Sequence, residues 1–141
     1  MDIKSCIKRY KEARFKNINT ENRECWIKRQ LHILPEGTSI LDAGAGQMRW
    51  KEDCRHLRYT SQDFDQYDGK GDEKGLQNGS WNTGRVDIVS DIIDIPVENA
   101  SYDAVLCTEV LEHLPSPELA IKEFGRIVRE GGGITPYSPI L

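Results

Sequence analysis

Residues 39–46 join an apolar segment, an acid and two glycines in an order that suits ligand binding. Two apolar residues run directly into Asp42, and Gly44 and Gly46 follow, as happens where a buried parallel strand enters a turn. Glycine has no Cβ, so it can adopt positive φ and let a ligand lie against the backbone. N–H groups that open the next helix would then face that ligand. The pattern predicts a binding turn, although many such turns need glycine for steric reasons alone.

Acids also end the next two predicted strands. Asp63 ends a strand over residues 57–62 and follows Gly44 by nineteen residues. That distance is the one at which a βαβ unit brings an acid to bind a ribose hydroxyl pair. Asp91 ends a further strand over residues 86–90. The sequence therefore predicts carboxylates at neighbouring strand ends.

Alternating strands and helices are expected to position these groups. The first strand is predicted over residues 39–42 and the fourth over residues 102–107. A helix is predicted after the glycine turn, through Trp50 towards Cys54. A last helix is expected from Ser116 as its cap, with three glycines at 131–133 ending it. Its predicted inward stripe consists of Leu119, Ala120, Phe124, Ile127 and Val128. A fifth strand could begin at Gly133, where Pro136 and Pro139 limit it to a short piece or an edge.

The alternation predicts an α/β fold with a doubly wound parallel sheet, in strand order 3-2-1-4-5. Residues 1–37 form a predicted N-terminal helical cap, with one helix over 3–15 and a second from Thr20 or Asn22. The apolar positions of the second helix are Cys25, Trp26, Leu31 and Leu34. Residues 38–141 form the sheet domain as one compact unit. Residues 65–85 are polar and glycine-rich, which predicts an irregular loop. Tyr67 and Trp81 within it are better explained as anchors of the loop to the body than as contacts with a substrate.

Composition limits the class of protein. The chain of 141 residues suits one domain, and it has no apolar run approaching the ~20 residues of a membrane helix. It begins without a secretory signal, so a cytoplasmic location with reduced thiols is expected. Residues 1–30 carry nine Lys/Arg against four Asp/Glu, and the remainder ten against nineteen. The basic start is better explained as the solvated face of a helix than as a surface for nucleic acid or membrane.

Four motifs in order resemble the class I S-adenosylmethionine-dependent methyltransferases. They are Leu-Asp-Ala-Gly-Ala-Gly at 41–46, Ser-Gln-Asp-Phe at 61–64, the pairs 91–92 and 95–96, and the run 101–114 ending Glu-His-Leu. The helix that ends Arg-Ile-Val-Arg-Glu-Gly-Gly also resembles the approach to that family's fifth strand. The resemblance covers about residues 25–133 and implies a Rossmann-like fold that binds S-adenosylmethionine.

The resemblance also implies a role for each matching residue. Gly44 and Gly46 would approach the methionine part of the cofactor, and Asp42 would help to hold its ammonium. Asp63 would bind the ribose hydroxyls. Phe64, Asp91 and Ile92 would contact the adenine. The methionine side of the pocket would be lined by Cys107, Thr108 and Glu109. The rim of acids suits a ligand whose sulfonium and ammonium outnumber its one carboxylate.

The implied reaction is direct displacement of the methyl group onto a small-molecule acceptor. A hydroxyl acceptor would need a general base, and His113 is the candidate at the mouth of the site. His113 also fits a simpler role, in which it fixes the turn before Leu114 and Pro115. No metal site is expected.

Two other functions stay open. A nicotinamide-dependent oxidoreductase would use Asp63 equally well, but its third glycine position is Arg49 and no Tyr-x-x-x-Lys pair is present. In the methyltransferase family, by contrast, the third glycine of the Gly-x-Gly-x-Gly pattern falls at Met48 of this sequence. The ending at 134–141 does not resemble a full fifth strand, which favours a C-terminally incomplete fold with an open sheet edge. The other alternative is therefore a cofactor-binding remnant without turnover that acts as an interaction module. Either a weakly stable monomer or self-association through the open edge is expected.

Overall fold

The computed structural model describes residues 18–64 and 86–137, which form one sheet with its covering helices. Two 3-10 helices, at Glu52–Cys54 and Leu111–His113, lie between the larger elements. The α-helices and strands, in chain order, are α1 (Ile18–Ile33), β1 (Ser39–Ala43), β2 (Arg58–Asp63), β3 (Ile88–Val89), β4 (Tyr102–Thr108), α2 (Pro117–Ile127) and β5 (Val128–Tyr137). None of the described helices is both long and apolar enough to cross a membrane.

The five strands are parallel and lie in the order β3-β2-β1-β4-β5. Asp42 of β1 lies opposite Ser61 on one side and Leu106 on the other. The order reverses between β1 and β4, because the chain runs outwards to β3 and then returns to the far side of β1. The predicted Rossmann-like sheet is confirmed, and its switch point lies where the glycine turn follows β1.

The centre of the sheet is buried on both faces, as a run of apolar residues in β1 predicts. Leu41 packs in a cluster with Phe124 of α2, whereas Ile40 packs in a second cluster with Leu31 of α1. Every residue of β1 is buried. Because successive side chains alternate between faces, β1 requires cover from a helix on each side.

Helix α1 begins earlier than predicted and turns a different face inwards. It starts at Ile18 within the described residues, so Thr20 and Asn22 lie inside it and cannot cap it. Ile27 and Leu31 form its buried face at i, i+4 spacing, and Trp26 is 44% exposed. The expected position of Trp26 was wrong because one residue is about 100° round the helix. The predicted helix over 3–15 lies outside the described residues.

The described residues between the glycine turn and β2 contain no α-helix, contrary to prediction. Residues 46–51 form turns, and only the 3-10 helix Glu52–Cys54 comes after them. Gly46 and Met48 have φ of 50° and 53°, a conformation that interrupts an α-helix before it begins. Trp50 and Cys54 are nevertheless buried, so the turns deliver the apolar residues that the helical pattern indicated.

Strand β3 is shorter than the predicted 86–90 and pairs with β2 through Gln62 and Asp63. Its short length is consistent with its place at the edge of the described sheet. The predicted loop over 65–85, with Tyr67 and Trp81, lies outside the described residues.

Helix α2 and strand β5 meet without a loop. The helix ends at Ile127, before the three glycines expected to stop it, because Val128 is already extended at φ −83° and ψ 137°. Leu119 is 44% exposed and does not join the buried stripe. Strand β5 is longer than predicted and pairs with β4 as far as Tyr137, passing through Pro136. In the described sheet β5 has one neighbour, so a proline is tolerated there. Self-association through this edge stays a prediction.

Two serine–aspartate pairs brace the strands. The N–H and the hydroxyl of Ser39 both donate to Asp103 Oδ2 at 2.8 Å, and Asp103 N–H donates back to Ser39 Oγ at 3.0 Å. Ser61 and Asp87 repeat the same three bonds between β2 and the start of β3. The N–H and hydroxyl donors of Ser39, together with Arg129, lower the pKa of Asp103 to about 2. Each pair ties neighbouring strands together before their first shared ladder residues.

Removing the hydroxyl of Ser61 should reduce the free energy of unfolding more than removing the hydroxyl of Ser116, at the start of α2. Ser61→Ala should reduce the free energy of unfolding by about 1–3 kcal/mol, because Asp87 N–H loses its acceptor and Asp87 a donor. Ser116 occupies the N-cap position but makes no capping bond through its side chain. Ser116→Ala should therefore change the unfolding free energy by less than about 0.5 kcal/mol in urea titrations. Equal losses in the two variants would contradict this account.

Candidate functional site

A cleft of about 610 Å³ opens at the carboxyl ends of β1, β2 and β4, at the switch point of the sheet. Seven of the eleven predicted site residues line it: Gly44, Asp63, Phe64, Asp91, Ile92, Glu109 and His113. Its other lining residues are Gln62, Ile93, Val110, Leu114, Pro115, Ser116 and Leu119. The other four, Asp42, Gly46, Cys107 and Thr108, are not among its lining residues.

Gly44 makes the closest backbone approach in the site. Its φ is +72°, and a Cβ built on it would lie 2.5 Å from a methyl carbon of Val110. Its N–H donates to the carbonyl oxygen of Gln62 at 2.9 Å, and the N–H of Ala45 donates to the same oxygen at 2.8 Å. The turn is thus held against the end of β2, in a conformation and a space that suit only glycine.

Gln62 links three strand ends and was not predicted. Its side chain is 1% exposed, and its Nε2 donates to the carbonyl oxygen of Ser90 at 2.7 Å. Its Oε1 accepts from Gly44 N–H at 3.2 Å. A long polar residue inside a buried strand, directly before Asp63, was the available signal, because such a side chain needs internal partners.

Asp63 faces the cleft with one oxygen already committed. Its Oδ2 accepts a hydrogen bond from Gly46 N–H at 2.7 Å. The N–H expected to open a helix towards a ligand therefore supports this carboxylate instead. Gly46 therefore fixes where the carboxylate lies at the lining of the cleft.

Asp42 lies beneath the cleft and is 1% exposed. Its Oδ2 accepts from the hydroxyl of Tyr59 at 2.6 Å. Burial raises the pKa of Asp42 to about 6, against the lowering effect of the Tyr59 bond, and the charge of Asp63 adds to the rise. This carboxyl group can influence a ligand through its charge from behind the surface.

The segment after β4 brings another acid and, unexpectedly, α1 to the cleft. Glu109 has φ +57° and pairs with the guanidinium of Arg23 at 2.5 Å. Cys107 is fully buried, and burial raises the pKa of its thiol to about 12, so it stays protonated at neutral pH. Thr108 Oγ1 accepts from the indole N–H of Trp50 at 3.1 Å. No local pattern around Arg23 could indicate its place at the cleft, because its partner Glu109 lies far along the chain.

Asp91 and Ile92 form the opposite wall together with Phe64. Asp91 Oδ1 accepts from Ile93 N–H at 3.1 Å, which shapes the turn after β3. Ile92 is 6% exposed, so it belongs both to the core and to the cleft. His113 is exposed at the mouth, and its backbone N–H donates to the carbonyl oxygen of Val110 at 2.9 Å.

Three acids and a large apolar wall define the chemistry of the cleft. Asp63, Asp91 and Glu109 are its carboxylates, and none of the described lining residues is lysine or arginine. Such a surface suits a ligand that carries positive charge together with flat apolar groups, and it is unsuited to a phosphate.

The fold and this site define a Rossmann-like ligand-binding protein of the α/β class. A family model described as a methyltransferase domain matches residues 41–135, which is more than half of the chain. The chain therefore belongs to this methyltransferase domain family, among the class I S-adenosylmethionine-dependent methyltransferases that its motifs resemble.

Curated relatives and solved structures agree with that family. The chain is 29% identical over 127 residues to a ubiquinone biosynthesis O-methyltransferase of Burkholderia vietnamiensis. The match covers 86% of the chain and 53% of the relative, so the chain spans about half the length of that protein.

Two solved structures share the fold at low identity. A SAM-dependent methyltransferase from Aquifex aeolicus superposes with a TM-score of 0.52 at 18% identity, over 92% of this chain and 68% of that protein. The [4+2]-cyclase SpnF superposes with a TM-score of 0.56 at 22% identity, over 82% of this chain and 44% of that protein.

The raised pKa of Asp42 predicts that the free energy of unfolding of the ligand-free protein falls as the pH rises. The folded state holds the proton more tightly than the unfolded state, so the stabilising effect is complete below about pH 4 and is lost as the pH rises through about 6. Asp42→Asn keeps an acceptor for Tyr59 and should raise the unfolding free energy at pH 7.5 by about 1–3 kcal/mol relative to wild type. The gain should disappear at pH 4.

Asp103→Asn is the control of opposite sign, because the pKa of Asp103 is lowered to about 2. This variant should be less stable than wild type at pH 7.5. Urea titrations at the two pH values test both variants, and an Asp42→Asn gain that is equal at pH 4 and 7.5 would contradict the account.

Gly44→Ala should destabilise the protein through both strain and collision. The added methyl meets Val110 and the residue must keep φ near +72°, so we expect a loss of about 2–4 kcal/mol. Gly37→Ala is a matched control, since φ there is +77° with nothing within 4 Å of the new Cβ. It should lose only about 1 kcal/mol. Adding Val110→Ala to Gly44→Ala should recover part of the difference in urea titrations, and no recovery would refute the collision.

Proposed function

We propose that the cleft binds S-adenosylmethionine, and that the chain is the cofactor-binding part of an enzyme that transfers its methyl group to a small-molecule acceptor. The observation that carries this proposal is the convergence of Asp63, Asp91 and Glu109 on one cleft at the switch point of the sheet. The cofactor carries a sulfonium and an ammonium against one carboxylate, so an acid-lined cleft offers it favourable electrostatics. The volume of about 610 Å³ suits a ligand of nucleoside size.

The residues present fit the cofactor part by part. Asp63, which lines the cleft and whose carboxylate Gly46 holds in place, would accept hydrogen bonds from the ribose hydroxyls. Phe64 would lie against the adenine, since it lines the cleft and is 52% exposed. Asp91 would accept from the adenine amino group, and Ile92 would offer its backbone N–H.

The methionine end would lie between the glycine turn and the segment after β4. Gly44 and Val110 both line this end of the cleft, and Val110 packs into the space that a Cβ on Gly44 would fill. Glu109 would attract the ammonium, and Arg23 beside it could receive the carboxylate. Asp42 would add its negative charge from beneath, whereas the buried Cys107 would contribute through the shape of the wall.

The bound cofactor would supply a methyl group that its positively charged sulfur activates. The chain would then contribute mainly by holding the acceptor in line with that methyl group and by excluding water. The curated relative is named an O-methyltransferase, which favours a hydroxyl acceptor here. In that case His113, exposed at the cleft, would take the hydroxyl proton. Its alternative role in fixing the turn stays open.

A nicotinamide cofactor has less support. Arg49 stands at the third glycine position of the dinucleotide pattern, and its guanidinium pairs with Glu24 and lies 5.1 Å from the centre of the Trp50 ring. In that pattern the glycines cradle a pyrophosphate at a helix N-terminus. In the described stretch between Gly46 and β2, turns and a 3-10 helix stand in place of an α-helix, and the cleft offers acids instead.

A second candidate is cofactor binding without methyl transfer by this chain. It is favoured by the coverage, because the chain matches 53% of its curated relative. A [4+2]-cyclase shares the fold, which illustrates how freely this architecture changes activity. Both candidates require binding of S-adenosylmethionine, and an assay of methyl transfer with hydroxylated aromatic acceptors separates them.

Calorimetric titration with S-adenosylmethionine, S-adenosylhomocysteine and NAD tests the shared claim. We expect the two sulfur ligands to bind more tightly than NAD. Asp63→Asn should weaken both by about 10- to 100-fold, because one acceptor of a buried ribose pair and a negative charge are lost while the bond from Gly46 can remain.

Asp94→Asn is the matched control, since Asp94 is exposed and does not line the cleft. It should bind like wild type. Tighter binding of NAD would overturn the assignment, and an equal effect of the two variants would remove Asp63 from the site.

A further inference from the structure

The segment between β3 and β4 carries part of the cleft without helix or strand structure of its own. We call residues 91–101 the β3–β4 loop; its first two residues, Asp91 and Ile92, line the cleft. Its internal backbone bonds are local turns, such as Asp94 N–H to the carbonyl oxygen of Asp91 at 3.3 Å. Local turns do not determine where a loop lies on the body of the protein, so contacts from another element must do so.

Arg126, in the last turn of α2, supplies those contacts with its whole guanidinium group. Its Nε and Nη2 donate to the two oxygens of Glu123 at 2.8 and 2.6 Å. Nη2 also donates to the carbonyl oxygen of Ile95 at 2.9 Å. Nη1 donates to the carbonyl oxygen of Val97 at 2.8 Å and to Asn99 Oδ1 at 2.9 Å. Five donors therefore meet five acceptors, a number and a planar arrangement that lysine cannot reproduce.

Glu123 and the helix backbone complete the attachment. Glu123 is 8% exposed, and its Oε1 also accepts from Ile95 N–H at 2.8 Å. Its hydrogen bonds with Arg126 lower its pKa, so the pair remains charged. Ala100 N–H donates to the carbonyl oxygen of Arg126 at 2.9 Å. The loop is thus fixed to α2 at residues 95, 97, 99 and 100.

The attachment reaches the cleft through a short buried connection. Ile92 and Ile95 are 6% and 1% exposed and pack in one cluster with Phe124 of α2. Two residues separate Ile92 from Ile95, so a shift of the anchor moves the cleft wall directly. We propose that Arg126 is a positioning residue, which holds Asp91 and Ile92 where they can recognise the adenine of the cofactor. This inference rests on the proposed function.

A purely structural brace is the alternative, and Arg129 provides a matched control for it. Arg129 is the next arginine along the chain, and Nη1 donates to Asp103 Oδ1 at 2.5 Å and to Ser39 Oγ at 3.1 Å. Its Nη2 donates to the carbonyl oxygen of Ser101 at 2.8 Å. These bonds lie at the start of β1 and β4, at the end of the strands opposite the cleft. Arg129→Lys removes comparable bonds, and the bond from Nη2 reaches the β3–β4 loop only at Ser101, its last residue, ten residues from Asp91.

The first experiment measures affinity and base selectivity by calorimetry. The probes are S-adenosylhomocysteine and its deaminated inosine counterpart, which lacks the amino group that Asp91 would bind. Arg126→Lys should weaken binding of the adenine ligand roughly 10-fold and reduce its preference over the inosine ligand by a similar factor, as expected for one or two misplaced hydrogen bonds. Arg129→Lys should leave both quantities within about two-fold of wild type, even where urea titration shows that it is less stable.

The second experiment couples Arg126 to Asp91. In the Asp91→Ala background, Arg126→Lys should weaken binding by about two-fold or less, because the group it positions has already been removed. Equal effects of Arg126→Lys in the two backgrounds, together with unchanged base selectivity, would overturn the inference and leave a structural brace. If Arg126→Lys does not fold, Asn99→Ala removes a single acceptor and should reduce base selectivity by about two-fold. No change in that variant would then contradict the inference.

Failure of the two proposals can be told apart. Wild-type protein that binds neither ligand overturns the proposed function and this inference together. Wild-type protein that binds the adenine ligand selectively, with Arg126→Lys unchanged, overturns this inference alone.

Discussion

The cleft depends on the bonds between the turn after β1 and the end of β2. Gly44 and Ala45 donate their N–H groups to one carbonyl oxygen of Gln62, and Gly46 donates to the carboxylate of Asp63. A buried donor that loses its partner costs about 1–3 kcal/mol, so the turn cannot leave β2 without a large loss of stability. Parallel pairing of β1 with both β2 and β4 brings these strand ends together, and the reversal of strand order leaves the space between them open.

The same junction concentrates negative charge, which has a cost and a use. Asp42 is buried beneath the turn with its pKa raised to about 6, and the charge of Asp63 contributes to that rise. Like charges at close range destabilise the ligand-free protein, whereas a cationic ligand would relieve the repulsion. In the proposed function, this lower stability of the ligand-free protein would be offset when the cofactor binds. Helix α1 also contributes to the charge at this junction, because its Arg23 is the cationic partner of the cleft acid Glu109.

Features that arise from local pattern could be predicted, and features that arise from distant contacts could not. The apolar run of β1 and the acids after it predicted the strand, its buried position and the cleft residues Asp63 and Asp91. The helix expected after Gly46 failed because positive φ at Gly46 and Met48 overrides the spacing of the apolar residues. The contacts of Gln62 and Arg23, and those of Arg126 with the β3–β4 loop, join residues that are 18 to 86 positions apart, for which the sequence holds no periodic signal.

A crystal structure of the protein with S-adenosylhomocysteine tests the central claim most directly. The account predicts the ribose hydroxyls within hydrogen-bond distance of Asp63, the adenine between Phe64 and Ile92 with its amino group at Asp91, and the homocysteine end at Gly44 and Glu109. The β3–β4 loop should keep its bonds to Arg126 in that complex. Ligand bound away from the carboxyl ends of β1 and β4, or in the cleft with its adenine distant from Asp91, would contradict the account.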